Sequence, residues 1–340
     1  MSAMRIFDGF SFYNELDILE IRLNLLWDVV DRFILVEATR THTGKPKPLY
    51  FAENRARFAR FEEKIVHVVV DDFPEVPSSY SEQDASWMRE DWQRNAIFRG
   101  LEDAKDEDLL MISDVDEIPR PEVIARLCRR GVRGVVALEM EVFCYYLNYK
   151  NYTHYEITAS KVVPVGMTRN GKILSRRINL SRHDPIVNRG VQPTTIRCMI
   201  PDRVVSHAGW HFSYLGGAEA IVRKIGSIAI EYANEKNTDV SWVKDVIAKG
   251  EDITGCGGRY FAVPLTAPRY PKYLLDHRSR YSNLIWNVDE TEFRRTRFAR
   301  LRCFVRGWIR KNGAKLIPRP WKQFLYDHVY CKLVSEPIVM

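Results

Sequence analysis

Asp108-Leu-Leu-Met-Ile-Ser-Asp-Val-Asp-Glu-Ile-Pro119 is the stretch whose reading decides the fold of this 340-residue chain. Leu109 to Ile112 form a short apolar run of the kind that makes a buried strand. It stops at Asp114-x-Asp116-Glu117, and Pro119 has no N–H to donate to a ladder. Such a strand delivers its carboxylates to the carboxyl edge of a sheet. In open α/β sheets that edge binds ligands, and closely spaced carboxylates there suit a hard divalent cation that also holds a diphosphate.

An Asp-x-Asp triplet arises about once by chance in a chain of this size, so context decides its meaning. Asp106-Glu-Asp108 is a second copy, but it lies in the polar run Glu102-Asp-Ala-Lys-Asp-Glu-Asp108 and reads as a solvated helix end and loop. Only Asp114 and Asp116 end an apolar strand.

At 46% hydrophobic residues the chain can bury a full core. No stretch approaches the roughly 18 to 20 unbroken apolar residues of a membrane span. Met1 to Arg5 lacks the basic start and apolar run of a secretory signal, so a cytoplasmic protein, at most peripheral to a membrane, is expected. The six cysteines are scattered without a C-x-x-C pair, which signals neither a zinc site nor a disulfide framework. The net charge of +7 is uneven: residues 293–315 carry nine Lys or Arg and no acid.

Along the chain, Arg5–Asp8, Val29–Val36 and Val66–Val70 read as strands. A helix from Asn14, with Asn14 as its N-cap, separates the first two. A helix over residues 84–104 leads into the organising strand, a helix over 123–127 follows, and 134–146 is a further strand. This alternation predicts a parallel, doubly wound α/β sheet. Beyond Tyr146 the rhythm changes to short β-like pieces (157–165 and 187–199), then the aromatic strand 209–215 and a helix over 218–234. That half reads as a β-rich lobe stacked on the first.

Blocks spread along the chain carry a family resemblance. Phe12-Tyr-Asn-Glu-Leu-Asp-Ile-Leu-Glu-Ile-Arg22, Val29-Val-Asp31 with Gly44-Lys-Pro-Lys-Pro-Leu49, Ser113 to Pro119, Gly209-Trp-His211, Glu219 and Pro271-Lys-Tyr-Leu-Leu275 together resemble glycosyltransferase family 17. The resemblance covers roughly residues 5–280. It implies a GT-A-like fold with a Rossmann-type mixed sheet flanked by helices, a UDP-sugar donor (UDP-N-acetylglucosamine), Mn2+ or Mg2+, and inversion at the anomeric carbon. The implied division is 1–145 for nucleotide-sugar binding, 146–280 for the acceptor and catalysis, and 281–340 as a basic helical extension. A glycan or glycolipid is the acceptor class.

Departure of a nucleoside diphosphate needs its growing charge neutralised, which a metal held by one or two carboxylates achieves. Asp116 is the expected direct ligand, Asp114 an indirect ligand or ribose contact, and His211 a third ligand with His207 as rival. Inversion needs a base for the acceptor hydroxyl. Glu219 and Glu117 are the candidates, with Glu139 and Glu141 as rivals, and Glu219 reads equally as an acid stabilising a helix start. Asn14, Glu15 and Asp17 follow the first strand, where a base or ribose is read. Arg94 is a candidate for the diphosphate or for locking Asp114, and Lys45 and Lys47 for closing over phosphate.

In the tail, Phe298, Leu301, Phe304, Val305, Trp308 and Ile309 fall on one helical face with Arg300, Arg302, Arg306 and Arg310 on the other. That is the pattern of an interfacial helix on anionic lipid, and equally of a helix packed on the body of the protein. A nucleic-acid partner is not expected, since no recognised module accompanies the basic tail. Besides an enzyme, the residues allow a silent sugar-nucleotide or glycan-binding protein of the same fold.

Overall fold

The computed structural model describes residues 4–153, 156–158, 160–169, 196–197, 200–229, 236–255 and 258–316. Four parallel strands carry the organising stretch. β1 (Ile6–Phe12), β2 (Arg32–Ala38), β3 (Ile65–Val70) and β4 (Leu109–Asp114) lie in the order β3-β2-β1-β4. α1 (Leu16–Leu26) connects β1 to β2. α2 (Tyr50–Glu53) and a 3-10 helix (Arg55–Lys64) connect β2 to β3, and α3 (Glu82–Asn95), with a 3-10 turn (Ala96–Gly100), connects β3 to β4.

Strand side chains alternate between faces, and here both faces are buried. Phe10, Leu35 and Met111 pack with Leu19 and Leu23 of α1, whereas Phe7, Ile34 and Ile112 pack with Ala96 and Ile97 on the other face. Gly9 admits the second layer, because a Cβ there would meet Ile97 Cγ2 at 2.3 Å. Each such burial contributes about 1.5–3 kcal/mol, so a one-residue slip of β4 would exchange its buried faces and is excluded.

β5 (Glu117–Pro119), α4 (Pro121–Arg130) and β6 (Val136–Cys144) follow. β7 (Tyr149–Asn151), β8 (Glu156–Ile157), β9 (Lys161–Pro164) and α5 (Val165–Arg169) come next. β10 (Arg203–Ser213), α6 (Ala218–Ile225), α7 (Val240–Ala248), β11 (Tyr260–Ala262) and α8 (Lys272–Asp276) complete the body. β9 pairs antiparallel with β4 and with β6, while β10 runs parallel to β6 and antiparallel to β5. The expected mixed α/β sheet flanked by helices is therefore present. The strands after Tyr146, however, extend the same eleven-stranded sheet instead of stacking on it as a lobe. The free edge of β4 needs backbone partners, and β9 supplies them.

Several boundaries differ from the sequence reading. β1 continues to Phe12, and β4 includes Ser113 and Asp114. Pro119 ends the short strand β5, opposite Gly209. Asn14 does not cap α1: Glu15 holds the N-cap position, and its carboxylate instead accepts from the backbone N–H of Asn14 at 3.0 Å. Of the expected β piece 187–199, only Ile196 and Arg197 are among the described residues.

The described residues end in α9 (Glu290–Arg295) and α10 (Arg297–Leu316). α10 docks through Arg300 and Cys303, both buried, and Gly307, where a Cβ would meet the Thr153 carbonyl oxygen at 2.2 Å. The expected apolar face is not the docked one. Phe298, Leu301, Phe304 and Val305 point outward, because Cys303 and Gly307 allow the closer approach to the backbone at Thr153; the Trp308 and Ile309 side chains lie outside the description. Among the described residues no helix is long and apolar enough to cross a membrane.

Candidate active site

The acidic turn after β4 is built on a buried arginine. Arg22 of α1 is fully buried and forms a charge pair with Asp8 of β1, Nε to Oδ2 at 2.8 Å. Its Nη1 donates to the main-chain carbonyls of Asp114, Val115 and Glu117 at 3.1, 3.2 and 2.8 Å. One guanidinium thus satisfies three carbonyls that leave the strand ladder, and this fixes the path along which Asp114 and Asp116 are presented.

Gly209-Trp-His211 supplies the facing wall. A Cβ on Gly209 would meet the Ile118 carbonyl oxygen at 2.2 Å, so only glycine lets β10 lie against β5. Trp210 is buried, donates its indole N–H to the Arg269 carbonyl at 3.0 Å and carries Arg120 over its ring. His211 then falls opposite Glu117 in the β10–β5 register.

The carboxyl ends of β1, β2 and β4 open onto a cavity of about 400 Å³. Its charged lining comprises the cations Arg40, Lys47, Arg94, Arg197 and Lys224 against the carboxylates of Glu15, Glu90, Asp114 and Asp116. Five cations outnumber four acids, which favours an anionic ligand over a bare cation. Arg197 bonds both Asp114 Oδ2 and Glu117 Oε2, at 3.0 and 2.9 Å. Lys224 bridges Glu15 Oε1 and Asp116 Oδ2 at 3.0 and 3.3 Å.

These contacts set the protonation states. Burial opposes ionisation of Asp114, but Arg197 and Arg94 outweigh it and hold that carboxyl well below its usual range. Burial acts against Glu117 and Glu15 too, and Arg197 and Lys224 respectively bring them below the ordinary value. For Asp116 burial prevails over Lys224 and His211, and its pKa is raised. Lys224 loses solvation by burial, yet Glu15 and Asp116 raise it well above a free lysine.

Of the expected site residues, Asp114, Asp116, His211, Glu15, Arg94 and Lys47 are brought together around the cavity. Asn14 and Lys45 are exposed and outside its lining, and Asp17 pairs instead with Arg57 at 2.5 Å. Glu117 is buried behind the acidic turn, where Ser160 Oγ donates to it at 2.7 Å. Glu219 does not reach the cavity: its half-exposed side chain pairs with Lys244 at 2.8 Å in the first turn of α6. Glu141 is taken by Arg120 and Lys150, Glu139 lies outside the lining, and His207 is exposed. Arg197, Lys224, His42 and Trp87 are cavity residues that the sequence reading missed. Lys224 lies 108 positions from Asp116 and five after Glu219, at no spacing that marks it as a partner of the acidic motif.

Asp116 Oδ1 and His211 Nε2 converge at 3.6 Å, and His211 Nδ1 is buried with no hydrogen-bond partner among the described residues. Those two side chains fit a divalent cation that takes its remaining ligands from a diphosphate and water. No cage of three or more His, Cys, Asp or Glu side chains is formed among the described residues.

Residues 1–161 match the model of glycosyltransferase family 17, which bears out the resemblance read from the motifs over that segment. Over 300 aligned residues, 83% of this chain, it is 26% identical to beta-1,4-mannosyl-glycoprotein 4-beta-N-acetylglucosaminyltransferase of Homo sapiens. It is 25% identical to the same-named protein of Rattus norvegicus. The match spans 55% of the length of each of these relatives. A mannosyltransferase from Pyrobaculum calidifontis, solved with GDP-Man and Mn2+, overlaps 66% of this chain and 61% of its own at 12% identity and a TM-score of 0.34.

Proposed function

We propose that this chain is a metal-dependent, inverting glycosyltransferase of GT-A-like fold that transfers N-acetylglucosamine from UDP-N-acetylglucosamine to a glycan or lipid-linked saccharide. One observation carries the reading: Asp114-Val-Asp116 ends β4 at the carboxyl edge of the parallel strands, facing His211, Arg94, Arg197 and Lys224 across one cavity. The family match supports the transfer chemistry, and the names of the relatives support the donor sugar.

In this reading Asp116 and His211 hold Mn2+ or Mg2+, which supplies charge neutralisation for the departing diphosphate. Arg94 and Arg197 keep Asp114 ionised and leave N–H donors toward the phosphates. Lys224 exchanges its Glu15 and Asp116 contacts for the same charge. The rings of Tyr13 and Trp87 line the cavity and provide apolar surface for the nucleoside. Glu219 is not assigned the base, since it lies outside the cavity.

The test is nucleotide release from UDP-, GDP- and dTDP-sugars with Mn2+, comparing wild type with Asp116→Asn. Release from UDP-N-acetylglucosamine that the substitution removes is the expected result. Metal-dependent UDP binding without any turnover, with acceptors supplied, would instead identify a silent binding protein.

A further inference from the structure

α10 buries the face of Arg300, Cys303 and Gly307 and turns large apolar side chains to solvent. Phe298, Leu301, Phe304 and Val305 are 81, 57, 46 and 41% exposed. They are four of the seven exposed large hydrophobic residues in the described chain, all within one eight-residue stretch. At about 100° per residue, Phe298, Leu301 and Val305 share a strip roughly 60° wide, opposite Arg300, Cys303 and Gly307. Arg297 flanks the strip and is exposed, as are Arg294 and Arg295 of α9 just before it, whereas Arg302 and Arg306 on the other side are partly buried.

A patch of this kind on a protein surface marks a binding face, and its charge selects the partner. Residues 293–315 hold nine Lys or Arg and no acid. A second copy of the chain would bring equal positive charge against it, and a nucleic acid would leave the apolar strip without use. A bilayer with anionic headgroups satisfies both features, since it accepts the strip at the acyl boundary and the arginines at its surface. We propose that the outer face of α10 docks the protein on an anionic membrane. The proposal stands apart from the donor-site reading, for it rests on a different element.

The experiment is co-sedimentation of the full chain with phosphatidylcholine vesicles, with and without phosphatidylglycerol. Binding is expected only to the anionic vesicles and should weaken as salt rises. Phe298→Ser with Leu301→Ser should lower vesicle affinity about tenfold or more, because two large apolar side chains no longer enter the acyl boundary. These side chains are already exposed, so folding should be retained and is checked by circular dichroism. Arg294→Glu with Arg297→Glu should weaken binding independently. No sedimentation with anionic vesicles, equal binding to neutral ones, or binding indifferent to the serine substitutions and displaced by duplex DNA would each overturn the proposal. So would a dimer that the serine substitutions dissolve, which would show that the strip is a self-association face.

Discussion

Arg22 Nη2 lies 2.5 Å from Asp8 Oδ1, and both side chains are fully buried beneath the acidic turn. The pair joins α1 to β1 and, through the carbonyls of Asp114, Val115 and Glu117, ties both to the acidic turn. Removing one partner of a buried pair leaves the other charge uncompensated, at a cost of about 3–5 kcal/mol. Arg22→Met is therefore expected to lower unfolding stability by that order in urea denaturation. Asp8→Asn should recover part of the loss in the double variant. Strict additivity of the two single substitutions would contradict a direct coupling.

Gly209→Ala is expected to destabilise the protein by about 1–3 kcal/mol, as overpacking in a dense core does. Since a Cβ there would press on Ile118 and Pro119, the β10–β5 pairing and His211 should shift together. Mn2+ affinity, measured by calorimetry in the presence of UDP, should fall with stability.

Asp116→Asn should reduce metal-dependent nucleotide release about a hundredfold or more. Lys224→Met should mainly raise the donor KM, and excess Mn2+ should restore little of it. Chelation by EDTA should stop the wild type reversibly. Retention of wild-type donor KM in Lys224→Met would remove the lysine from the diphosphate site.

Glu219→Gln is expected to change kcat less than about twofold, because its carboxylate pairs with Lys244 in a solvent-screened surface contact outside the cavity. A large loss in kcat with an unchanged fold would return this residue to catalysis.

Arg197→Met provides a pH signature. In the wild type Asp114 and Glu117 are held below their ordinary values, so their contribution to stability is present above the usual carboxylate range and is lost as pH falls through the lowered values. Without Arg197 the burial of Glu117 is uncompensated, its pKa rises, and ionising it at neutral pH opposes folding. The stability gap between wild type and variant should thus be about 3 kcal/mol near pH 7 and narrow toward pH 4, as followed by thermal melts across that range. A gap independent of pH would mean that Arg197 acts by packing alone.

The strand ending in Asp114-Val-Asp116 was legible in the chain because its signal is local: an apolar run buried on both faces, then carboxylates that only an edge can solvate. The same holds for the α/β class and the parallel strands β1 to β4, read from strands and helices that alternate over short spans. Gly209-Trp-His211 was legible as a block but not as a contact, since the closeness of Ile118 to Gly209 depends on two strands meeting from distant parts of the chain. The single sheet was hidden for a related reason: whether β9 extends β4 or forms another layer depends on which edge is free, and no periodicity reports that. Helix α10 showed its two faces plainly, but which one docks was decided by the close approach at Gly307. Glu219 and Lys224 mark the boundary most sharply. They share a helix five residues apart, and its rotation about its own axis turns one to solvent and the other into the acidic cluster. Charge type and spacing are properties of the chain, whereas the direction in which a helix faces is set by the core it packs against.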